Sequence, residues 1–218
     1  MTRSRGLGDV YKRQILKALP KHTRPMDVLQ MAVSSLGTFY DLEVSPEKVK
    51  GKKYDEKYFL NTSAALIGAL GSIVAAWHRI RNGDEPISSK PDCTYAENFL
   101  HILGAEKITP LMTRIMDATL VLHGEHTINA STFTAMVTSS TLANASQVVA
   151  SAIGSLSGPL HGGANEKVIA MLQKIESKEE IRPWLDETLK AKNVVWGMGH
   201  REYSVKDPRA NILTDMVQ

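Results

Sequence analysis

Ser157-Gly158-Pro159-Leu160-His161-Gly162-Gly163-Ala164-Asn165-Glu166 is where one long run of helical pattern stops and another starts. Gly158-Pro159 ends the first run, because proline cannot continue a helix interior. The second run begins near Ala164. The histidine between them is flanked by glycines, which have no Cβ to hold a backbone or a ligand away. His161 is therefore expected in an open elbow just ahead of a helix N-terminus. A neutral imidazole held in such a place can donate a hydrogen bond to a developing enolate oxygen, as one does in triosephosphate isomerase. The plainer alternative is a satisfied histidine in a turn.

Working outward from the elbow, nearly every stretch reads as helix. Pro25 suits a first helical position, Val28, Leu29, Ala32, Val33 and Leu36 share one face, and Gly37 closes the helix. Residues 41–54 are polar and lysine-rich, a solvated connection. Asp55 to Arg81 is one long pattern that Asn82-Gly83 ends. Thr94 and Glu97 have capping-box spacing, and their helix ends at Gly104. Thr109-Pro110 opens a helix that runs to about His123. Ser131 to Leu142 and Ser146 to Leu156 are helical, split near Asn144-Ala145. Their Ala, Ser and Thr faces suit core packing or an interface between subunits. Downstream, Ala164 to Ile175 and Arg182 to Ala191 are helical, and Asp207-Pro208 opens a last helix. Val194-Val195-Trp196 is the only β-like run. The expected fold class is all-α. Residues 1–14 have no periodicity and read as a non-native or disordered basic leader.

Bulk composition excludes several classes. The net charge is 26 minus 23, or +3, too weak to point to nucleic acid. Cys93 is the single cysteine, so no internal disulfide forms and a reducing compartment, the cytoplasm, is expected. The most apolar window, Ala64 to Trp77, is too short for a bilayer, and no membrane partner is expected. Neither a G-x-S-x-G elbow nor a Walker loop occurs.

Three histidine-bearing stretches carry the candidate chemistry. His123-Gly124-Glu125-His126-Thr127-Ile128-Asn129-Ala130-Ser131 lacks the HExxH arrangement, so no metal is expected there. His126 and Asn129 suit hydrogen bonding to a small anion. The elbow at His161 is the second stretch. The third, Gly197-Met198-Gly199-His200-Arg201-Glu202-Tyr203, lacks the third glycine of a dinucleotide fingerprint, so it reads as a tight turn against a ligand. It leads to Asp207-Pro208-Arg209, where a guanidinium beside a helix start makes a carboxylate site. Histidines and an arginine around a small carboxylate-bearing carbonyl compound suit enolate chemistry.

Together these three motifs, in this order and spacing, resemble the citrate synthase family. The resemblance runs from about Ile15 to the C-terminus and includes Pro20-Lys21-x-Thr23-x-Pro25-Met26-Asp27. It implies a mostly helical homodimer with a large domain, here 15–161, and part of a smaller one, 162–218. It implies condensation of acetyl-CoA with oxaloacetate and thioester hydrolysis to citrate and CoA. No further cofactor is implied, because acetyl-CoA is a substrate. His161 would hydrogen-bond the enol of acetyl-CoA, and His200 would bind and protonate the oxaloacetate carbonyl. His126, Asn129 and Arg209 would hold oxaloacetate. Val194, Val195, Gly197, Met198 and Gly199 would lie along CoA. The rival readings are a 2-methylcitrate synthase using propionyl-CoA, a non-catalytic helical interaction module and a metal hydrolase.

Two features depart from the family pattern. Its catalytic aspartate lies well downstream of the Gly-His motif, and Asp215 is too close to be its counterpart. Glu202 also replaces a branched residue. The 218 residues are therefore expected to be an internal fragment, inactive alone. Incubated with acetyl-CoA and oxaloacetate, they should release no CoA above background; turnover at an ordinary enzyme rate overturns that expectation.

Overall fold

The computed structural model describes residues 13–38, 56–125, 127–199 and 204–217, with the backbone alone at 56–58 and 217. No strand occurs among them. The expected connection at 41–54 lies outside the described residues, as do residues 1–12. Arg13 and Gln14 are already helical, ahead of the expected boundary at Ile15. The chain divides into two compact units, with the break between Ser155 and Leu156.

The first unit is built on three helices, α1 (Pro25–Leu36), α2 (Glu56–Asn82) and α6 (Ala145–Leu156). Between α2 and α6 come α3 (Tyr95–Leu103), α4 (Pro110–Leu122) and α5 (Ala130–Ser140). α1 buries Val28, Ala32, Val33 and Leu36, the face that the i, i+4 pattern marks. These meet Leu66, Ile73, Trp77 and Ile80 of α2, Ala150 and Ile153 of α6, and Leu16. Each large side chain buried here contributes about 1.5–3 kcal/mol. Trp77 joins by packing alone, since its Nε1–H has no acceptor among the described residues.

Capping chemistry fixes the helix ends. Thr94 accepts a hydrogen bond from Glu97 N–H, and Thr109 accepts one from Met112 N–H. Gly104 ends α3 at φ 102°, the left-handed stop that a glycine adopts without cost. Tyr95 ties α3 to α2 by donating its hydroxyl to the Ile67 carbonyl at 2.9 Å. Burial pushes the Tyr95 phenol up, so it stays a donor. At the other end of α2, Lys17 reaches the exposed Glu85 carboxylate at 2.7 Å and holds it below the usual carboxylate range.

One expectation needs correcting. The apolar stretch is not confined to Ala64–Trp77: Phe59–Asn82 forms a continuous helix long and apolar enough, by length and composition, to cross a bilayer. Its Leu66, Ile73, Trp77 and Ile80 are nevertheless packed in the core with α1 and α6, as in the central helix of a globular unit.

The second unit holds α7 (Ala164–Leu172), α8 (Ile181–Lys190) and α9 (Pro208–Val217). α8 ends in a paired C-terminal cap. Asn193 N–H donates to Thr188 O and Lys192 N–H donates to Leu189 O. Lys192 takes the left-handed position at φ 55°. The cap sends Val194-Val195-Trp196 back past α7. This run is not a strand, because it pairs with no neighbour among the described residues and Gly197 turns it at once.

Candidate active site

The elbow is tighter than its sequence implied. Gly162 N–H donates to the Leu156 carbonyl at 2.9 Å, and His161 N–H and Gly163 N–H both donate to Gly158 O. A Cβ on Gly162 would stand 2.6 Å from that Leu156 oxygen, and one on Gly163 would stand 2.9 Å from Pro159 Cα. Both glycines have ordinary negative φ; Gly163 is at −62°. They are needed for the close approach of the chain's own backbone, where a ligand was the alternative. The result is a half-buried His161 on a turn whose next two residues admit no side chain, one turn before α7.

The Gly-x-Gly turn uses glycine for a different reason. Met198 N–H donates to Val195 O at 3.2 Å, closing a turn with Gly197 at φ 87°; Gly199 follows at φ 78°. Only glycine takes these angles without strain. The turn rests on α7: a Cβ on Gly197 would touch Val168 at 3.4 Å. Lys167 of α7 places its ammonium 4.2 Å from the Trp196 ring centroid. The helix that follows His161 and the segment expected along CoA are thus in contact. Val194 and Met198 are exposed there, at 62% and 76%.

At the start of α9, Asp207 acts twice. Its Oδ1 accepts from Arg209 N–H at 2.9 Å, capping the helix. The same carboxylate accepts from Arg209 Nε at 3.1 Å and from Nη2 at 2.7 Å. Two parallel bonds fix the plane of the guanidinium. The pair is about one-third exposed on each side, at 32% and 27%.

The remaining candidates divide between units. Asn129 belongs to the first, where its Oδ1 accepts from Thr132 N–H at 2.9 Å and Ser131 Oγ at 2.8 Å. That cap opens α5 and fixes which way the amide nitrogen faces. His123 closes α4 and shares a 2.6 Å hydrogen bond between Nδ1 and Thr119 O. Thr127 stands at φ 55°, a position that strains a β-branched residue, with its N–H on Glu125 Oε1 at 2.5 Å. His126 and His200 lie outside the described residues. Among those described, no three of His, Cys, Asp and Glu gather as metal ligands do. Sequence reasoning missed Asp207 as the partner of Arg209, although a carboxylate two residues before a guanidinium was its signal. It also missed Lys167, which nothing in the local pattern distinguishes.

A sequence-family model described as "Citrate synthase, C-terminal domain" matches residues 2–218. The chain belongs to the citrate synthase family. It is 44% identical over 206 residues to the citrate synthase of Acidithiobacillus ferridurans, covering 94% of this chain and 53% of that protein. It is 35% identical over 212 residues to the 2-methylcitrate synthase of Shewanella oneidensis, covering 97% and 53%. The crystal structure of citrate synthase from Pyrobaculum aerophilum superposes with a TM-score of 0.79 at 31% identity, over 94% of this chain and 52% of that one. The chain spans about half the length of the curated relatives it matches. The all-α architecture agrees with this membership.

The elbow yields a stability test within this citrate synthase-family chain. Gly162→Ala should destabilise it by about 1–3 kcal/mol, the range for forced overpacking. Gly68→Ala, in α2 with nothing within 4 Å, should instead stabilise by about 0.5–1 kcal/mol. Urea unfolding of the two variants should shift the midpoint in opposite directions.

Proposed function

We propose that the full-length protein condenses acetyl-CoA with oxaloacetate and hydrolyses the resulting thioester, giving citrate and CoA. The observation that carries this reading is the elbow, which holds one imidazole on a sterically fixed turn just ahead of α7, the helix on which the Gly197 turn rests. His161 would donate a hydrogen bond to the enol oxygen of acetyl-CoA as a proton leaves its methyl carbon. That carbon then attacks the ketone of oxaloacetate, and His200 protonates the new alkoxide. Arg209, with its plane set by Asp207, would grip one carboxylate; His126 and Asn129 would hold the rest of oxaloacetate. Val194, Val195, Gly197, Met198 and Gly199 would run along CoA, the exposed side chains of Val194 and Met198 framing the path. Water then cleaves the thioester and CoA departs. None of these residues is the base that removes the methyl proton. The lone Cys93 suits a cytoplasmic site of action.

The S. oneidensis relative supports a second reading, with propionyl-CoA as the acyl donor. Both readings use His161. In the full-length protein His161→Ala should lower kcat by roughly 10²–10⁴, the range for acid–base assistance. A loss below threefold removes His161 from the chemistry. The ratio of kcat/KM for acetyl-CoA and propionyl-CoA in the wild type separates the two donors.

We also propose that two copies pair through α4 and α5. Neither helix buries a residue within this chain. Phe133, Met136 and Val137 lie on one face of α5 at 60%, 51% and 52% exposure, and Val121 of α4 at 70%. Exposed apolar side chains grouped on a helix face mark a protein contact. Phe133→Asp in the full-length protein should halve the mass measured by sedimentation equilibrium; an unchanged mass would place the dimer contact elsewhere.

A further inference from the structure

The turn between α4 and α5 contains a backbone conformation that its sequence does not favour. Thr127 stands at φ 55°, in the left-handed region. Glycine enters that region freely, whereas a β-branched residue is strained there. Such a conformation persists only where its surroundings impose it. Packing does not impose it here, because Glu125, Thr127 and Ile128 are all exposed. The contact that does is the Glu125 carboxylate, whose Oε1 accepts from Thr127 N–H at 2.5 Å. A backbone N–H donating to an ionised carboxylate makes one of the stronger hydrogen bonds.

Both ends of the turn are fixed independently. On the α4 side, His123 N–H donates to Thr119 O at 3.2 Å and Gly124 N–H donates to Val121 O at 3.0 Å. On the α5 side, the Asn129 side chain caps the helix through Thr132 N–H. Thr127 lies between these two clamps, two residues before the cap. A left-handed residue bends the chain sharply, so its φ sets where α5 starts. The start of α5 in turn sets which way the half-buried Asn129 presents its amide nitrogen.

We propose that Glu125 is a positioning residue for oxaloacetate: its carboxylate holds Thr127 left-handed and so aims Asn129 at the substrate. This role rests on the reading of Asn129 as a group that holds oxaloacetate. Glu125 itself makes no contact with the substrate, whose carboxylates would repel it. If it acts only through the backbone of Thr127, a residue that adopts the left-handed conformation unaided makes the carboxylate dispensable. Glycine is that residue.

The test is calorimetric titration of the full-length protein with oxaloacetate. Glu125→Ala should weaken binding by roughly tenfold, the size of a lost hydrogen bond to a charged group. Glu125→Gln keeps an acceptor oxygen and should stay within about threefold of wild type. Adding Thr127→Gly to Glu125→Ala should bring the affinity back to within about threefold of wild type. Glu125 is exposed, so circular dichroism should be the same for all three variants. Equal affinity in wild type and Glu125→Ala, or no recovery in the double variant, overturns the proposal alone. Wild-type protein that binds no oxaloacetate overturns the functional reading and this role with it. Because the readout is heat rather than turnover, it is unaffected by the outcome at His161.

Discussion

The hydrogen bond from Gly162 N–H to the Leu156 carbonyl sets the course of the chain between α6 and α7. It brings the backbone so close to the end of α6 that a methyl group at 162 would overlap the carbonyl it satisfies. A helix-end carbonyl has no partner within its own helix, and this one receives it from the turn itself. The same contact places His161 at the apex, with its side chain leaving a backbone that has little room to move. Catalysis by a positioned hydrogen bond depends on that kind of fixed support. Here the support is steric, and it comes from what glycine lacks.

The other candidate groups are held by helix starts. Asn129 opens α5 through its own side chain, and Asp207 opens α9 through its own. In each case the atom that satisfies the helix also orients a polar group toward its surroundings. Asp207 goes further: one carboxylate serves both the Arg209 backbone and its guanidinium. Losing the charge at 207 would therefore affect the guanidinium plane and helix initiation together, whereas an asparagine would keep the cap and release the guanidinium plane. Each of these candidate groups thus sits at a helix cap, where its own side chain is already committed to the helix end.

What could be read from the sequence follows from locality. Helix limits at Thr94, Gly104, Thr109 and Pro208 were legible because capping and breaking act within four residues. The role of the glycines after His161 was legible in kind, but their actual neighbour, the carbonyl of Leu156, was not. That neighbour depends on how the turn folds back. The β-like reading of Val194–Trp196 failed for the same reason: strand propensity has no effect without a partner strand. The Lys167–Trp196 contact joins residues 29 apart in sequence, and no periodicity announces it.

The small polar residues of α5 bear on why its face is left bare in one chain. Thr134 donates its hydroxyl to Ala130 O at 2.8 Å, Thr138 to Thr134 O at 2.9 Å, Ser139 to Met136 O at 3.0 Å and Ser140 to Val137 O at 2.7 Å. Each hydroxyl is satisfied by its own helix and needs no water. Covering such a face therefore carries none of the penalty of stranding a polar group. It would remove Phe133, Met136 and Val137 from solvent, and the short side chains between them would let another helix come close. Where α5 meets α6 the same device is already at work, with Thr138 Oγ1 and Ser151 Oγ 2.9 Å apart while each also bonds its own helix. A helix rich in serine and threonine can thus be dry on both sides. This composition, which in isolation suggests a solvated surface, is consistent with α5 being buried by an identical neighbour.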